Sequence, residues 1–338
     1  MTSQRTPDSD EARRTGHEPQ LGGADGPRIS GMEPLLGGIR RAGADPDRVE
    51  ALLNAPGAAH QEPILDWVAR FGQAALYAGL LAEIIPDRAR HKAGSWRGTL
   101  TPSQRCRAID ALGVIGGYES IQPLLNVLGD PTYEVRIAAE AALGAVVARL
   151  PLDDRRTEAA FGLMVESLNV LPGHGRKVAA RILSQAPPDL VLGPLLGAGL
   201  TAAEWWARRE AAWTLGKLGD RRATKRLVNA LDDPSAAVRG TSAWALGQLD
   251  APVAIPALIR ASNESDEVVR AAAVEALGAQ VRRLTPDHRA FATGLARLVE
   301  ALNDQDWAVR HAAYDSLSAI TEPEARLALR SALKRKAE

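Results

Sequence analysis

The chain has 338 residues, 46% of them hydrophobic, and its 41 Lys and Arg equal its 41 Asp and Glu. This composition excludes a disordered chain, and the zero balance removes any net field that would draw the whole molecule to nucleic acid or to an anionic membrane. A single cysteine, Cys106, excludes an internal disulfide and a cysteine-based metal site, so a reducing, cytoplasmic setting is expected.

Residues 1–28 are rich in Ser, Asp, Glu, Arg, Pro and Gly and contain no apolar run, which predicts a disordered tail without a signal-peptide core. Residues 29–100 are expected to form an N-terminal helical cap. Within them Ile64, Leu65, Trp67, Val68, Phe71, Leu76, Leu80, Leu81 and Ile84 recur at helical spacing. The most apolar stretch, from Phe71 to Pro86, is interrupted by Gln73 and Glu83 and falls short of the ~20 residues a membrane span needs, so no membrane partner is expected. Arg88, Arg90, Lys92 and Arg97 follow, a candidate anion-binding cluster whose plainer reading is a solvated face.

From residue 101 to residue 338 one pattern returns: an arginine, alanine three residues on, leucine seven on and usually glycine eight on. The seven arginines are Arg105, Arg136, Arg176, Arg208, Arg239, Arg270 and Arg310, separated by 31, 40, 32, 31, 31 and 40 residues. A shift of 134 residues superposes the first three on Arg239, Arg270 and Arg310. It also brings the insert residues Leu150, Asp153 and Arg155 onto Leu284, Asp287 and Arg289, which points to an internal block duplication. Segments such as Ile121 to Leu128 and Ala254 to Ala261 lie between the motifs with helical apolar spacing, so each unit reads as a helical hairpin. Asp130 and Asp233 precede prolines as N-caps would, and Thr101 with Gln104 and Thr201 with Glu204 have capping-box spacing. The acids six residues before the motif arginines (Asp130, Asp233, Glu264 and Asp304) are expected to bridge neighbouring repeats through those arginines.

These motifs resemble HEAT repeats, especially the subclass named after phycobilisome lyases, as in VRGTSAWALGQLDAPVAIPALI at 238–259. The resemblance implies an all-α, right-handed α-solenoid of about seven two-helix repeats over roughly 101–333, closed at its N-terminal end by the cap. One hairpin cannot bury its apolar stripe alone, but stacking at ~10 Å per repeat makes a continuous core. The resemblance rests on packing residues and leaves the chemistry open.

Candidate sites therefore fall at positions the repeat leaves free. Five residues beyond the motif arginine the side chain should face solvent, and there stand Trp213 and Trp244 in adjacent repeats. Trp205 and Arg209 share the helix face of Trp213, which makes these four residues a candidate partner-binding patch. The competing reading is that the tryptophans pack against neighbouring helices. The second helices are expected to line the concave face with a polar column of Asn126, Glu166, Gly197, Asn229, Arg260, Glu300 and Ser331. Arg221, Arg222, Lys225 and Arg226 form a second candidate anion cluster, and Gly173, His174 and Gly175 leave backbone N–H groups free at a helix start.

No catalytic set emerges, and no cofactor or metal is expected: there is no phosphate-binding loop, dinucleotide fingerprint, nucleophile elbow or zinc-ligand spacing. HEAT-like deoxyhypusine hydroxylases bind iron through His-Glu pairs, whereas His17-Glu18 in the tail is the one such dipeptide here. The leading expectation is a non-catalytic scaffold that binds a protein or peptide. Resemblance to phycobilin lyases implies the alternative, a groove for a small aromatic ligand. A third reading, resemblance to HEAT-like alkylpurine DNA glycosylases, needs a basic surface, and the neutral balance and mixed column argue against nucleic acid.

Overall fold

The computed structural model describes residues 102–337. The expected tail, the cap and the Arg88, Arg90, Lys92 and Arg97 cluster lie outside the described residues. The chain from Pro102 is a succession of helical hairpins. The first helices are α1 (Pro102–Ile115), α3 (Tyr133–Ala148), α5 (Gly173–Leu183), α7 (Trp205–Leu218), α9 (Ala236–Gln248), α11 (Glu267–Val281) and α13 (Trp307–Ala319). Alternating with them are the second helices α2 (Tyr118–Val127), α4 (Arg155–Ser167), α6 (Pro188–Pro194), α8 (Thr224–Ala230), α10 (Ile255–Ala261), α12 (Phe291–Ala301) and α14 (Pro323–Ala337). A π-helical turn, Leu195–Gly199, extends α6. Among the described residues there is no strand, and the fold is an all-α solenoid.

Its core is one continuous apolar cluster threaded between the two layers, from Ile109 and Leu112 at one end to Leu317 and Ala332 at the other. The repeated Leu and Ala of the motif supply it: Leu143, Leu215, Leu246 and Leu277 are fully buried. Each repeat completes the next, which is how short hairpins gain a core none could build alone.

The motif glycine sets the spacing of the first helices. A Cβ built on Gly113, Gly216 or Gly247 would lie 3.0, 2.8 or 3.0 Å from the Cα of Ala142, Ala245 or Ala276, each six residues beyond the arginine of the next motif. Glycine against alanine thus lets consecutive backbones touch, as far as close packing permits. The exception is Gly144, whose Cβ would meet nothing within 4 Å. The next first helix carries Ile182 at the alanine position. The small residue that would let α5 meet α3 at this glycine is therefore missing.

The motif arginines bridge repeats as expected. Arg208 donates to Asp233 through Nε and Nη2 at 2.6 and 2.9 Å, Arg270 to Asp304 at 3.0 and 2.9 Å, and Arg239 to Glu264 at 2.7 Å. Arg105 pairs with Asp130. Each acid belongs to the turn of the following repeat, so the pairs tie successive turns together. Arg208, Arg239 and Arg270 also donate to carbonyls of the turns that precede their own helices, as Arg270 does to Glu264 and Ser265, which gives those loop carbonyls a partner. Burial alone would raise the Asp304 carboxyl, but hydrogen bonds from Arg270 and the Asp306 N–H, with the charge of Arg270, hold it below the usual carboxylate range.

Capping differs from the sequence expectation. Thr132 and Ser235, not Asp130 and Asp233, occupy the N-cap positions, and each acid instead accepts the N–H two residues on, bracing the turn for its arginine. Thr201 donates to the Gly197 carbonyl and forms no capping box with Glu204. Side-chain caps come from Asp154, Asp266 and Asp306. The two sequence inserts lengthen the second helices: α4 has 13 residues and α12 has 11, against 7 each in α8 and α10. Leu150 and Leu284, matched by the 134-residue shift, are both buried.

Candidate functional site: the first-helix face

Where α5 stands back from α3, a solvent-open groove of about 510 Å³ crosses α3, α5, α7 and α9. Its walls carry Glu140, His174, Lys177, Arg181, Arg209, Glu210, Trp213 and Thr241 over buried Val178. Glu140 bridges the gap between helices, pairing with Arg181 and lying 3.7 Å from His174 Nε2. Glu210, 7% exposed, pairs with Arg209 at the groove floor. Both carboxylates are engaged, whereas Lys177 stands exposed without a pair among the described residues.

Trp213 and Trp244 close the groove on the α7–α9 side as a parallel stack, ring centroids 6.5 Å apart and planes 9° from coplanar. Lys217 caps both rings, its Nζ 5.7 and 5.6 Å from their centroids, a cation–π arrangement. The stack leans on the motif glycine: a Cβ on Gly216 would lie 2.7 Å from Trp244 Cζ3. The two tryptophans are half-buried and pack against the core. The expectation of rings pointing fully to solvent is corrected in this respect: position five of α9 lies beside the glycine of α7, which seats Trp244 on Gly216, and Trp213 stacks against Trp244. Trp205 is 41% exposed and lies beneath Arg209, 5.8 Å from guanidinium to centroid. The four predicted residues thus occupy one face as two adjoining pairs.

A second groove, about 820 Å³, opens further along the same face across α9, α11 and α13. It is lined by four carboxylates, Glu267, Glu275, Asp306 and Asp315, and by Arg282 and Arg283. Arg283 is tied down, donating to the Gly247 and Leu249 carbonyls at 3.0 and 2.7 Å. Val268 and Trp307, each 66% exposed, give this groove an apolar lip, with His311 packed on Trp307 at 4.9 Å.

Sequence reasoning missed Lys177, Glu210, Lys217 and this second groove. A signal was present for the groove: Trp205 and Trp307 both stand three residues before the motif arginine, where a first-turn side chain cannot reach the core.

The predicted second-helix column is placed differently. Over α7 to α13 the first helices touch backbone to backbone at glycine while the short α8 and α10 stand apart, so this part of the stack curves with the first-helix layer inside. Asn229, Arg260 and Glu300 are exposed on the opposite layer, as are Glu166, Gly197 and Ser331 nearer the ends; Asn126 is half-buried and accepts from Gln122. The column shares no groove with the tryptophans.

The second basic cluster is largely matched by acids. Arg222 donates to Asp220 and Asp189 at 2.6 and 2.7 Å, and its hydrogen bonds hold Asp220 below the usual carboxylate range. Arg221 lies 3.8 Å from Asp250, leaving Lys225 and Arg226 as its exposed cations without a pair among the described residues. Gly173 begins α5 directly, and His174 turns to Glu140. Among the described residues, no helix is long and apolar enough to cross a membrane.

Comparison with known proteins agrees with this architecture. The HEAT-repeat family matches residues 193–278 and 281–338, and these residues are HEAT repeats; the hairpins upstream continue the same stack. No curated protein matches the chain. Among solved structures, the complex of Kap95p with RanGDP superposes with a TM-score of 0.50 at 15% identity, over 90% of this chain and 47% of that one. The complex of CpcE and CpcF of phycocyanin lyase from Nostoc sp. PCC7120 is 24% identical with a TM-score of 0.42, over 47% of this chain and 98% of its own. Human deoxyhypusine hydroxylase is 22% identical with a TM-score of 0.33, over 85% and 99%. The likeness to the first of these is one of fold.

Proposed function

We propose that this chain is a non-catalytic binding solenoid that takes an extended protein or peptide segment along its first-helix face. The observation that carries this reading is the Trp213–Trp244 stack, held half-open beside a groove that spans four successive first helices. Buried tryptophans would serve packing alone, and fully exposed ones would lack a fixed geometry. Rings held parallel, with Trp244 seated on Gly216, form a rigid apolar platform, the kind of anchor around which interface energy concentrates. Asn126, Glu166, Asn229, Arg260 and Glu300 stand on the other layer and take no part in it.

The test is selection of a displayed random-peptide library on the folded protein. Peptides that enrich on the wild type and lose tenfold or more in affinity to Trp213→Ala and Trp244→Ala support the reading. Peptides that bind both variants as well as the wild type refute it. A small planar ligand in the first groove is the second reading, favoured by a volume within the ~300–1,000 Å³ of small-molecule sites and by the Trp213 wall. Quenching of tryptophan fluorescence by such a ligand, with no peptide enriched, would favour it over the first.

A further inference from the structure

The two grooves lie on one face but differ in sign. Around α5 and α7 stand Lys177, Arg181, Arg209 and Lys217, and the two carboxylates among them, Glu140 and Glu210, are already paired. Around α11 and α13 stand Glu267, Glu275, Asp306 and Asp315, opposed by Arg282 and by Arg283, which is held by backbone carbonyls; Asp315 lies 3.0 Å from His311 Nδ1, Asp306 caps α13, and the four carboxylates outnumber the two arginines. Between them α9 offers Thr241, Trp244 and Gln248, none of them charged. The face therefore runs from positive through neutral and aromatic to negative, although the whole chain is neutral.

Resting on the binding role proposed above, we infer that the partner segment is dipolar: it carries an acidic block against α5 and α7 and a basic block against α11 and α13. Charge complementarity decides this. A uniformly acidic segment would place carboxylates against Glu275 and Asp315, and a uniformly basic one would place cations against Lys177 and Lys217. Spacing bounds the segment as well. Three helix intervals of ~9–10 Å separate the two charged regions, about 30 Å, which an extended chain covers in about nine residues at ~3.3 Å each. At physiological salt, where the screening length is ~8 Å, the regions act independently, so each block is read by its own groove. Between the blocks the segment crosses the Trp213–Trp244 platform, which favours an aromatic or long apolar side chain there. The chain direction is left free, because charge order can be met with the segment running either way.

The same peptide selection, read for sequence and followed by affinities of the enriched peptides, tests this. The expected result is peptides with an Asp/Glu block and a Lys/Arg block about nine residues apart. Lys177→Glu with Lys217→Glu should weaken them tenfold or more and be rescued by reversing the charge of the acidic block only. Glu275→Lys with Asp315→Lys should be rescued by reversing the basic block only. All four residues are exposed, and circular dichroism confirms that the variants fold. Enriched peptides of a single sign, or rescue of both variant pairs by the same block, would overturn the dipolar assignment. If such peptides still depend on Trp213 and Trp244, the binding role stands without it; if they do not, the binding role falls too.

Discussion

Two motif glycines, Gly144 and Gly216, should respond to alanine with opposite signs. Both lie inside first helices, where alanine is favoured over glycine by about 1 kcal/mol. At Gly144 a methyl group meets nothing within 4 Å, so the gain is free of steric opposition, and Gly144→Ala should stabilise the chain by about 0.5–1 kcal/mol. At Gly216 the same methyl would sit 2.8 Å from Ala245 Cα, 2.9 Å from its Cβ and 2.7 Å from Trp244 Cζ3. Backbone cannot turn aside as a side chain can, so α7 and α9 must separate and lose the contacts they share. Overpacking of this kind costs about 1–3 kcal/mol, which exceeds the propensity gain. Gly216→Ala should therefore be destabilising. Urea melts followed by circular dichroism measure both variants against the wild type. Equal or greater stability of Gly216→Ala, or a shift of both variants in the same direction, would refute the account of repeat spacing.

Trp213→Ala and Trp244→Ala should each cost about 1–3 kcal/mol, below the 3–5 of a fully buried ring because both are half-buried; denaturant melts decide. Replacing Asp304 by Asn leaves Arg270, 7% exposed, with a neutral partner, and should cost about 1–3 kcal/mol at neutral pH. Because the folded Asp304 carboxyl lies below its unfolded value, its contribution is present above ~pH 4 and is lost as pH falls through the folded value; Asp304→Asn should therefore flatten the fall in melting temperature below about pH 4. Gln280, fully buried, donates to the Leu246 and Leu249 carbonyls and accepts from the Ala251 N–H, clasping the turn between α9 and α10. Gln280→Leu should cost about 2–4 kcal/mol by leaving these groups unpaired, and hydrogen exchange at residue 251 should speed up.

The architecture was legible because its grammar is local. Arginine, alanine, leucine and glycine recur at fixed offsets, and each performs the same contact in every repeat, so the pairing of Arg208 with Asp233 or Arg270 with Asp304 follows from sequence spacing alone. The tryptophan face was legible for the same reason, since position five is free in every repeat. The curvature was not. It depends on how closely glycine lets the first helices approach relative to α8 and α10, a difference between two layers that no single repeat encodes, and so the polar column of Asn229, Arg260 and Glu300 was assigned to the wrong side. Nor was the half-burial of Trp244 legible, for it arises from Gly216 one repeat away.

The first groove opens where the repeat grammar lapses, and the lapses are visible residue by residue. Ile182 replaces the small residue that would receive Gly144. Val170 and Ala202 take the turn positions that hold Asp130 or Asp233 elsewhere, each donating its N–H to the carbonyl three residues back as those acids do. Arg136 and Arg176 consequently meet no carboxylate among the described residues; Arg136 lies over Tyr133 at 5.6 Å and Arg176 over Trp206 at 5.2 Å. An acid at 170 would not have been braced as Asp130 is, because Pro172 has no N–H to donate. With neither the glycine contact nor the charged tie, α3 and α5 are held across the gap by Glu140 with Arg181, a surface pair worth at most about 1 kcal/mol. A stack stabilised by nearest-neighbour contacts is weakest at such a junction, which makes the α3–α5 boundary the place where a bound segment, by bridging the two helices, would add most to the stability of the whole.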